Sequence, residues 1–183
     1  MGLKSFLPSL RRGVVYLMIL AFGYVLGLAV FYVPPDTVEA ASNEPAPDLT
    51  LHKLGGKTIR LNEYKGKWVF LNFWATWCPP CVQEMPEMEM FYKKFKDKNL
   101  VMLAVSVDKD DPARISSFIK DHGFTFDVFL DPSGDSLDQF GTSKIPSTFI
   151  INPKGEIVSQ ASGPRSWMDP DIIKYFNDLL KKG

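Results

Sequence analysis

The sequence predicts an α/β protein that has one membrane-spanning helix in front of its folded domain. Apolar segments typical of buried strands alternate with helical segments from residue 48 onward. An uncharged stretch over residues 14–33 precedes them. At ~1.5 Å per residue, a helix of this length spans the ~30 Å hydrocarbon layer of a bilayer. The composition, 45% hydrophobic and 23% charged, fits a globular domain with one extra apolar segment.

The charges around the apolar stretch predict its orientation. Basic side chains precede it and acidic ones follow it: Lys4, Arg11 and Arg12 before, Asp36 and Glu39 after. By the positive-inside rule, residues 1–13 lie in the cytoplasm and the domain lies on the extracytoplasmic, or periplasmic, side. We therefore expect a single-pass protein of the cytoplasmic (inner) membrane, in contact with lipid through residues 14–33.

A cleaved signal peptide is the alternative, with Val38-Glu39-Ala40 as a small-residue cleavage site. The apolar run is longer than the 7–15 residues usual for a signal core, which favours an uncleaved anchor. Both interpretations export the domain. An exported domain lies outside the cytoplasm, where disulfides form and persist.

The charge balance gives no indication of nucleic-acid binding. The chain has 21 basic and 21 acidic side chains. Three of the basic ones precede Asp36, so the remainder carries 18 against 21, a net charge of −3. We expect no nucleic-acid partner, because such proteins carry a basic patch or stripe.

The elements follow a linker predicted over residues 34–47 and belong to a domain predicted over 48–183. The predicted strands are Leu49–Leu51 and Thr58–Leu61, a hairpin around Gly55-Gly56, then Trp68–Trp74, Leu100–Val107, Val128–Leu130, Thr148–Ile151 and Glu156–Ala161. The predicted helices are Pro79–Phe95 with an interruption at Pro86, Pro112–His122, Ser136–Phe140 and Asp169–Lys181.

The motif Trp77-Cys78-Pro79-Pro80-Cys81 directly follows the strongest strand and opens a helix. A sulfur at a helix N-terminus lies near the positive end of the dipole, which stabilises the thiolate that attacks disulfides. Cys78 is thus the predicted nucleophile, and Cys81, one turn further in, resolves the mixed disulfide. Pro80 lacks an N–H that would otherwise reach the Cys78 sulfur, so we expect only a moderate fall in the Cys78 pKa.

Other uses of this cysteine pair are excluded or disfavoured. No second pair exists for a Cys₄ zinc site, and residue 82 is valine rather than the histidine of a haem attachment motif. A disulfide that closes so short a loop adds little stability. We predict a redox-active Cys78–Cys81 disulfide with no metal and no cofactor.

The sequence resembles the thioredoxin superfamily and, more closely, its TlpA/ResA-like membrane-anchored thiol-disulfide oxidoreductases. The matching segments are Leu71 to Cys81, Glu84-Met85-Pro86, Val105 to Asp108, Ile145 to Ile151, and Gly155. The resemblance implies a thioredoxin fold with an added N-terminal β-hairpin. It also implies a central helix–strand insertion, over about Asp108 to Leu130.

The resemblance also implies further site residues. Ile145-Pro146 matches the loop whose proline is cis and faces the active-site sulfurs, where the backbone of the preceding residue pairs with substrate. Trp77, Pro79 and Pro80 are assigned with these two residues to substrate binding.

Glu84 is the third predicted catalytic residue, because it lies one turn after Cys81 on the same helix face and is placed to hold or pass its proton. The matching glutamate is functional in ResA-like proteins. An acidic residue is also simply favoured in the first turns of a helix. Asn72 stands where thioredoxin has a buried aspartate, and an amide cannot accept a proton at neutral pH.

The predicted activity is reduction of disulfides in exported proteins, with apocytochrome c as the best candidate substrate. The resemblance implies recharging by a membrane electron donor of the CcdA/DsbD type. Oxidation or isomerisation by the same fold is the main alternative. A peroxiredoxin-like peroxidase lacks its Pro-x-x-x-Thr-x-x-Cys pattern here, and a copper-delivery protein would have a wider cysteine spacing.

Overall fold

The structure, a computed structural model, describes residues 39–40, 43–109 and 111–181. The predicted cytoplasmic segment 1–13 and the predicted anchor 14–33 lie outside these residues. Within the described part of the chain, no helix combines the length and apolar composition that crossing a membrane requires.

The described residues form one mixed sheet of eight strands. The strands are β1 (Glu39–Ala40), β2 (Thr50–Lys53), β3 (Thr58–Arg60), β4 (Trp68–Trp74), β5 (Leu100–Ser106), β6 (Asp127–Leu130), β7 (Ser147–Ile151) and β8 (Ile157–Ser162). Their order across the sheet is β1-β8-β7-β4-β5-β6-β2-β3. Strands β4, β5 and β6 pair in parallel, and the other neighbours are antiparallel.

Four α-helices in the described residues join or follow these strands. They are α1 (Pro79–Phe95), α2 (Pro112–Asp121), α3 (Asp135–Gln139) and α4 (Pro170–Leu180), with a 3-10 turn at Leu61–Tyr64. Helices α1, α2 and α4 begin with proline, which loses no intrahelical hydrogen bond there. The side chains of Asp111 and Asp169 cap α2 and α4 by accepting from backbone N–H groups two residues on.

Strand β4 is the centre of the core, and all seven of its residues are buried. Phe70 packs on one face against Phe91 of α1 and Phe176 of α4. Phe73 packs on the opposite face against Phe140 and Phe149. The prediction of a strand buried on both faces is confirmed. The core therefore fixes the C-terminal end of β4, where the cysteine motif begins.

The predicted hairpin and insertion are both present. Strands β2 and β3 pair antiparallel, and β2 also pairs with β6. The inserted helix α2 ends at Asp121 with His122 as its C-cap, and Gly123 follows with φ 70°. This left-handed conformation suits glycine and ends the helix as predicted.

The predicted interruption of α1 at Pro86 is wrong. The helix continues from Pro79 to Phe95 with Pro86 inside it. Proline removes one hydrogen bond of the helix. Its neighbours Met85 and Met88 are almost fully buried, and Pro86 itself is exposed, so packing holds the helix together on both sides.

The folded part begins earlier than the predicted Asp48. Strand β1, inside the predicted linker, pairs with the edge strand β8. The Glu44 carbonyl accepts from the N–H of Ile157 at 2.9 Å, and the Ala46 N–H donates to the Gly155 carbonyl at 2.8 Å. The edge strand offers unpaired backbone groups, and these residues satisfy them. A Pro/Ala/Ser/Asn composition did not indicate such pairing.

Candidate active site

Cys78 and Cys81 lie where β4 ends and α1 begins, and they form a disulfide. Cys78 is the N-cap residue of α1. Its sulfur accepts a hydrogen bond from the backbone N–H of Cys81 at 3.3 Å. The two residues between them are Pro79 and Pro80, which have no N–H to offer. One backbone donor of the first turn therefore serves the Cys78 sulfur where an ordinary N-cap has two within reach.

The two cysteines differ in their access to solvent and to partners. Cys78 is 4% exposed and Cys81 is fully buried. Trp77, directly before the pair, is 63% exposed, which is unusual for a large apolar side chain. Pro79 is exposed and Pro80 is half-buried. The surface around Cys78 is thus apolar and open, while the second sulfur is shielded.

The loop before β7 faces the Cys78 sulfur, and its Ile145–Pro146 peptide bond is cis, as predicted. The Ile145 carbonyl oxygen lies 3.9 Å from the Cys78 Sγ. Ile145 is half-buried and Pro146 is buried. The Pro146 carbonyl accepts from the N–H of Gly163 at 2.8 Å, which ties the loop to the end of β8.

Glu84 is 4% exposed, and its carboxylate accepts from three donors among the described residues. Oε1 accepts from Asn72 Nδ2 at 3.1 Å. Oε2 accepts from the Arg165 backbone N–H at 3.0 Å and from Trp167 Nε1 at 3.1 Å. Burial raises the pKa of Glu84 to about 7, and these donors with the charge of Arg165 oppose the rise only in part. The group therefore exists in both protonation states near neutral pH.

The raised pKa of Glu84 makes the stability of the fold depend on pH. The ordinary value is 4.5 and the folded value is about 7. The native chain thus keeps a proton that the unfolded chain releases between these values. This stabilising contribution is complete below pH 4.5 and is lost as pH rises to about 7. The loss amounts to about 3 kcal/mol.

Chemical denaturation across this range, on the native chain and on Glu84→Gln, measures the contribution. Glutamine stays neutral and keeps the size of the side chain. We expect the unfolding free energy of the native chain to fall relative to that of the variant as pH rises. Parallel curves would show that Glu84 titrates normally in the folded chain.

A second buried carboxylate, that of Asp108, holds the loop in front of the cysteines. It is 2% exposed and follows β5, next to the end of β4. It accepts from the backbone N–H of Thr76 at 3.0 Å and from the Thr76 and Ser106 hydroxyls at 2.6 Å each. Asp108 thereby fixes the backbone two residues before Cys78.

The sequence did not assign Asp108, Thr76, Arg165 or Trp167 to the site. A signal existed for Asp108, because polar residues at the carboxyl ends of adjacent parallel strands meet at one edge of a sheet. Two of the donors to Glu84, Arg165 and Trp167, are more than 80 residues away in sequence, and no spacing pattern indicates them.

Three other side chains are not part of the cysteine site: those of Trp74, His52 and His122. Trp74 is fully buried and packs against Phe118, so its place is in the core. His52 bonds to the Thr58 hydroxyl, and His122 stacks on neighbouring phenylalanines. Among the described residues, no group of three or more His, Cys, Asp or Glu side chains is arranged to hold a metal ion.

Comparisons with known proteins find relatives that are thiol-disulfide oxidoreductases, as a redox-active cysteine pair would suggest. A model of the AhpC/TSA family matches residues 42–160. The chain is 38% identical over 174 residues to the thiol-disulfide oxidoreductase ResA of Bacillus subtilis, covering 95% of this chain and 93% of that protein. It is 33% identical to ResA of Halalkalibacterium halodurans, covering 94% of each chain.

A solved structure supports the same conclusion. The putative thiol:disulfide interchange protein DsbE from Chlorobium tepidum superposes with a TM-score of 0.69 at 28% identity, covering 79% of this chain and 99% of that one. The fold is thus thioredoxin-like, with a mixed sheet and four helices in the described residues. The Cys78–Cys81 pair supplies the redox group that thiol-disulfide exchange requires. The chain belongs to the AhpC/TSA family and, within it, to the ResA-type thiol-disulfide oxidoreductases.

Proposed function

We propose that the chain reduces disulfides in exported proteins, from a position on the extracytoplasmic side of the cytoplasmic membrane. In this proposal residues 14–33 are the anchor, and apocytochrome c, whose haem-site cysteines must be reduced, is the substrate. A membrane electron donor of the CcdA/DsbD type restores the dithiol. Relatives called thiol-disulfide oxidoreductases support exchange with protein disulfides in general.

The observation that carries the direction of electron flow is that the described residues offer the Cys78 sulfur a single N–H donor. A strongly stabilised thiolate favours the reduced dithiol and makes an oxidant. Pro80, the second helical residue, has no N–H and so withholds a backbone donor from that sulfur. The thiolate of Cys78 is therefore only moderately stabilised, and the couple gives up its electrons readily.

The proposed reaction begins when the Cys78 thiolate attacks a substrate disulfide. A bond forms between Cys78 and one substrate sulfur, and the other substrate sulfur leaves as a thiolate that takes up a proton. Cys81 loses its proton and attacks the Cys78 sulfur, which releases the second substrate thiolate. Two electrons have then passed to the substrate, and the chain holds the Cys78–Cys81 disulfide.

Glu84 is the proposed acceptor of the Cys81 proton. It follows Cys81 by one turn on the buried face of α1, and both side chains are shielded from solvent. A base works best when its pKa is close to the ambient pH. The pKa of Glu84, which burial raises to about 7, meets this requirement. The proton thus passes from the thiol to the carboxylate without entering bulk water.

The exposed surface around Cys78 is the proposed docking site. Trp77 and Pro79 are exposed and offer apolar contacts next to the sulfur. The Ile145 carbonyl oxygen lies 3.9 Å from the sulfur, and in this proposal the Ile145 backbone pairs with an extended substrate chain. Such backbone pairing recognises unfolded polypeptide with little dependence on its side chains. A newly exported apocytochrome meets that description.

Replacing Pro80 with alanine should make the couple more oxidising. Position 80 is the second helical residue, and its restored N–H would reach the Cys78 sulfur together with that of Cys81. A hydrogen bond to a charged group of this kind corresponds to a rise in reduction potential of roughly 30–60 mV. Equilibration with glutathione or dithiothreitol buffers measures it.

Pro79→Ala is the matched control, because the first helical N–H does not point at the N-cap sulfur. We expect its potential to stay close to that of the native chain. Equal shifts in both variants would mean that the prolines act through helix stiffness and not through the N–H donor that Pro80 removes.

Thiol trapping in cells tests the proposed function. Deleting the CcdA/DsbD-type donor should leave Cys78 and Cys81 oxidised and should lower the amount of cytochrome c with attached haem. Glu84 and the docking surface stay intact in this experiment. A pair that remains reduced without the donor would refute the proposed direction and its source of electrons.

A further inference from the structure

Asn72 has an unpaired acceptor in the most buried part of the site. It is fully buried on β4, and its Nδ2 donates to Glu84 Oε1 at 3.1 Å and to Thr148 Oγ1 at 2.9 Å. Its Oδ1 is also buried and accepts no hydrogen bond from the described residues. A buried carbonyl oxygen without a donor costs free energy, so this arrangement calls for a reason.

The two oxygens of Glu84 are not equivalent as sites for a proton. Oε2 accepts from the Arg165 backbone N–H and from Trp167 Nε1, and both groups are donors only. A proton on Oε2 would oppose one of them. Among the described residues, Oε1 accepts a hydrogen bond only from the amide of Asn72. An amide carries a donor and an acceptor on the same carbon, so rotation exchanges the two.

We propose that Asn72 is a reversible hydrogen-bond partner of Glu84, which donates to the charged carboxylate and, after its amide rotates, accepts from the protonated carboxyl group. Rotation brings the unpaired Oδ1 to the place where Nδ2 now lies. The hydroxyl of Thr148 can follow, because it accepts from Nδ2 in one state and donates to Oδ1 in the other. Asn72 is thus a positioning residue that acts through Glu84.

Among the described residues around Glu84, its own carboxyl group is the one that titrates while the disulfide is intact. Strands β4 and β7 contribute Asn72 and Thr148, which have no charge. The segment after β8 contributes Arg165, whose positive charge favours the carboxylate. Helix α1 contributes Cys81, whose thiol titrates only when the disulfide is reduced. The inference rests on the proposed role of Glu84. Once this carboxyl group has received the Cys81 proton, its new O–H group needs a hydrogen-bond acceptor.

The consequence is a site that takes up a proton without losing its shape. Both bonds to Oε2 stay in place, so Glu84 remains attached to Arg165 and Trp167 while Oε1 gains and loses its proton. An aspartate at position 72 would add a second negative charge to this site and compete for the proton. An amide adjusts its hydrogen bonds without competing.

Infrared difference spectroscopy on the full chain in detergent tests the inference directly. Asparagine is labelled with ¹³C in the amide carbonyl, and spectra are recorded as pH crosses 7, near the pKa of Glu84. We expect the labelled carbonyl band to shift together with the appearance of the protonated carboxyl band of Glu84, and neither change in Glu84→Gln. A labelled band that stays fixed while Glu84 titrates would overturn the proposal.

Asn72→Leu, with Thr148→Val as the matched control, provides a second test. Leucine offers no acceptor to the O–H group of protonated Glu84. The C=O stretching band of that carboxyl group should therefore move to higher frequency. Thr148→Val keeps the amide beside Glu84 and should leave that band in place. An unmoved band in folded Asn72→Leu would contradict the inference. Disulfide exchange measured on the same samples reports separately on the proposed function. If Asn72 only donates and never rotates, the infrared bands contradict the inference while disulfide exchange through Cys78 and Cys81 continues.

Discussion

We expect Cys78→Ser to reduce disulfide exchange to background and Cys81→Ser to stop it at the mixed disulfide. Cys78 is the sulfur that a partner can reach, and the Cys81 sulfur is fully buried behind it. A hydroxyl is a far weaker nucleophile than a thiolate at neutral pH. Without Cys81, nothing in the chain displaces the substrate from Cys78, because the sequence has only these two cysteines.

Insulin reduction with an excess of dithiol measures the first effect, and non-reducing gels with a peptide disulfide measure the second. Met90→Ser, an exposed substitution on α1, is the control and should be fully active. A covalent adduct that forms on Cys81 in Cys78→Ser as fast as on Cys78 in Cys81→Ser would reverse the assignment of the two sulfurs.

The second large effect is expected at Asp108. Asp108→Ala leaves the Thr76 N–H and the Thr76 and Ser106 hydroxyls without their acceptor in a largely buried place. We expect the unfolding free energy to fall by about 3 kcal/mol, because unpaired buried donors are costly. The loop before Cys78 loses its attachment at the same time, so exchange should slow even at temperatures where the variant is folded.

Denaturant unfolding and exchange rates on the same preparation separate the two effects. Asp111→Ala is the matched control, since Asp111 is exposed and caps α2 with one hydrogen bond. It should cost about 1 kcal/mol and leave exchange unchanged. An Asp108 variant as stable and as active as the Asp111 variant would show that the network does not hold the site.

Local patterns were sufficient to predict the parts of the site that lie close together in sequence. A run of seven residues, all but Asn72 apolar, predicted β4 with its bounds, and the motif that follows it predicted the cysteines at the start of α1. The cis peptide at Ile145–Pro146 came from the family resemblance, because no local pattern indicates which proline is cis.

Tertiary contacts account for what the sequence did not show. Arg165 and Trp167 reach Glu84 only because the segment after β8 folds back onto α1. Strand β1 forms because the edge of β8 is free to pair, although its own two residues show no strand pattern. Pro86 remains inside α1 because the buried residues around it hold the helix in place.

The reduction potential of the Cys78/Cys81 couple in the full chain tests whether the protein acts as a reductase. With one backbone donor at the Cys78 sulfur, we predict a value well below about −200 mV, towards that of thioredoxin. Such a value makes the chain a reductase. A value near about −120 mV, as in a strong oxidant, would contradict the proposed direction of electron flow.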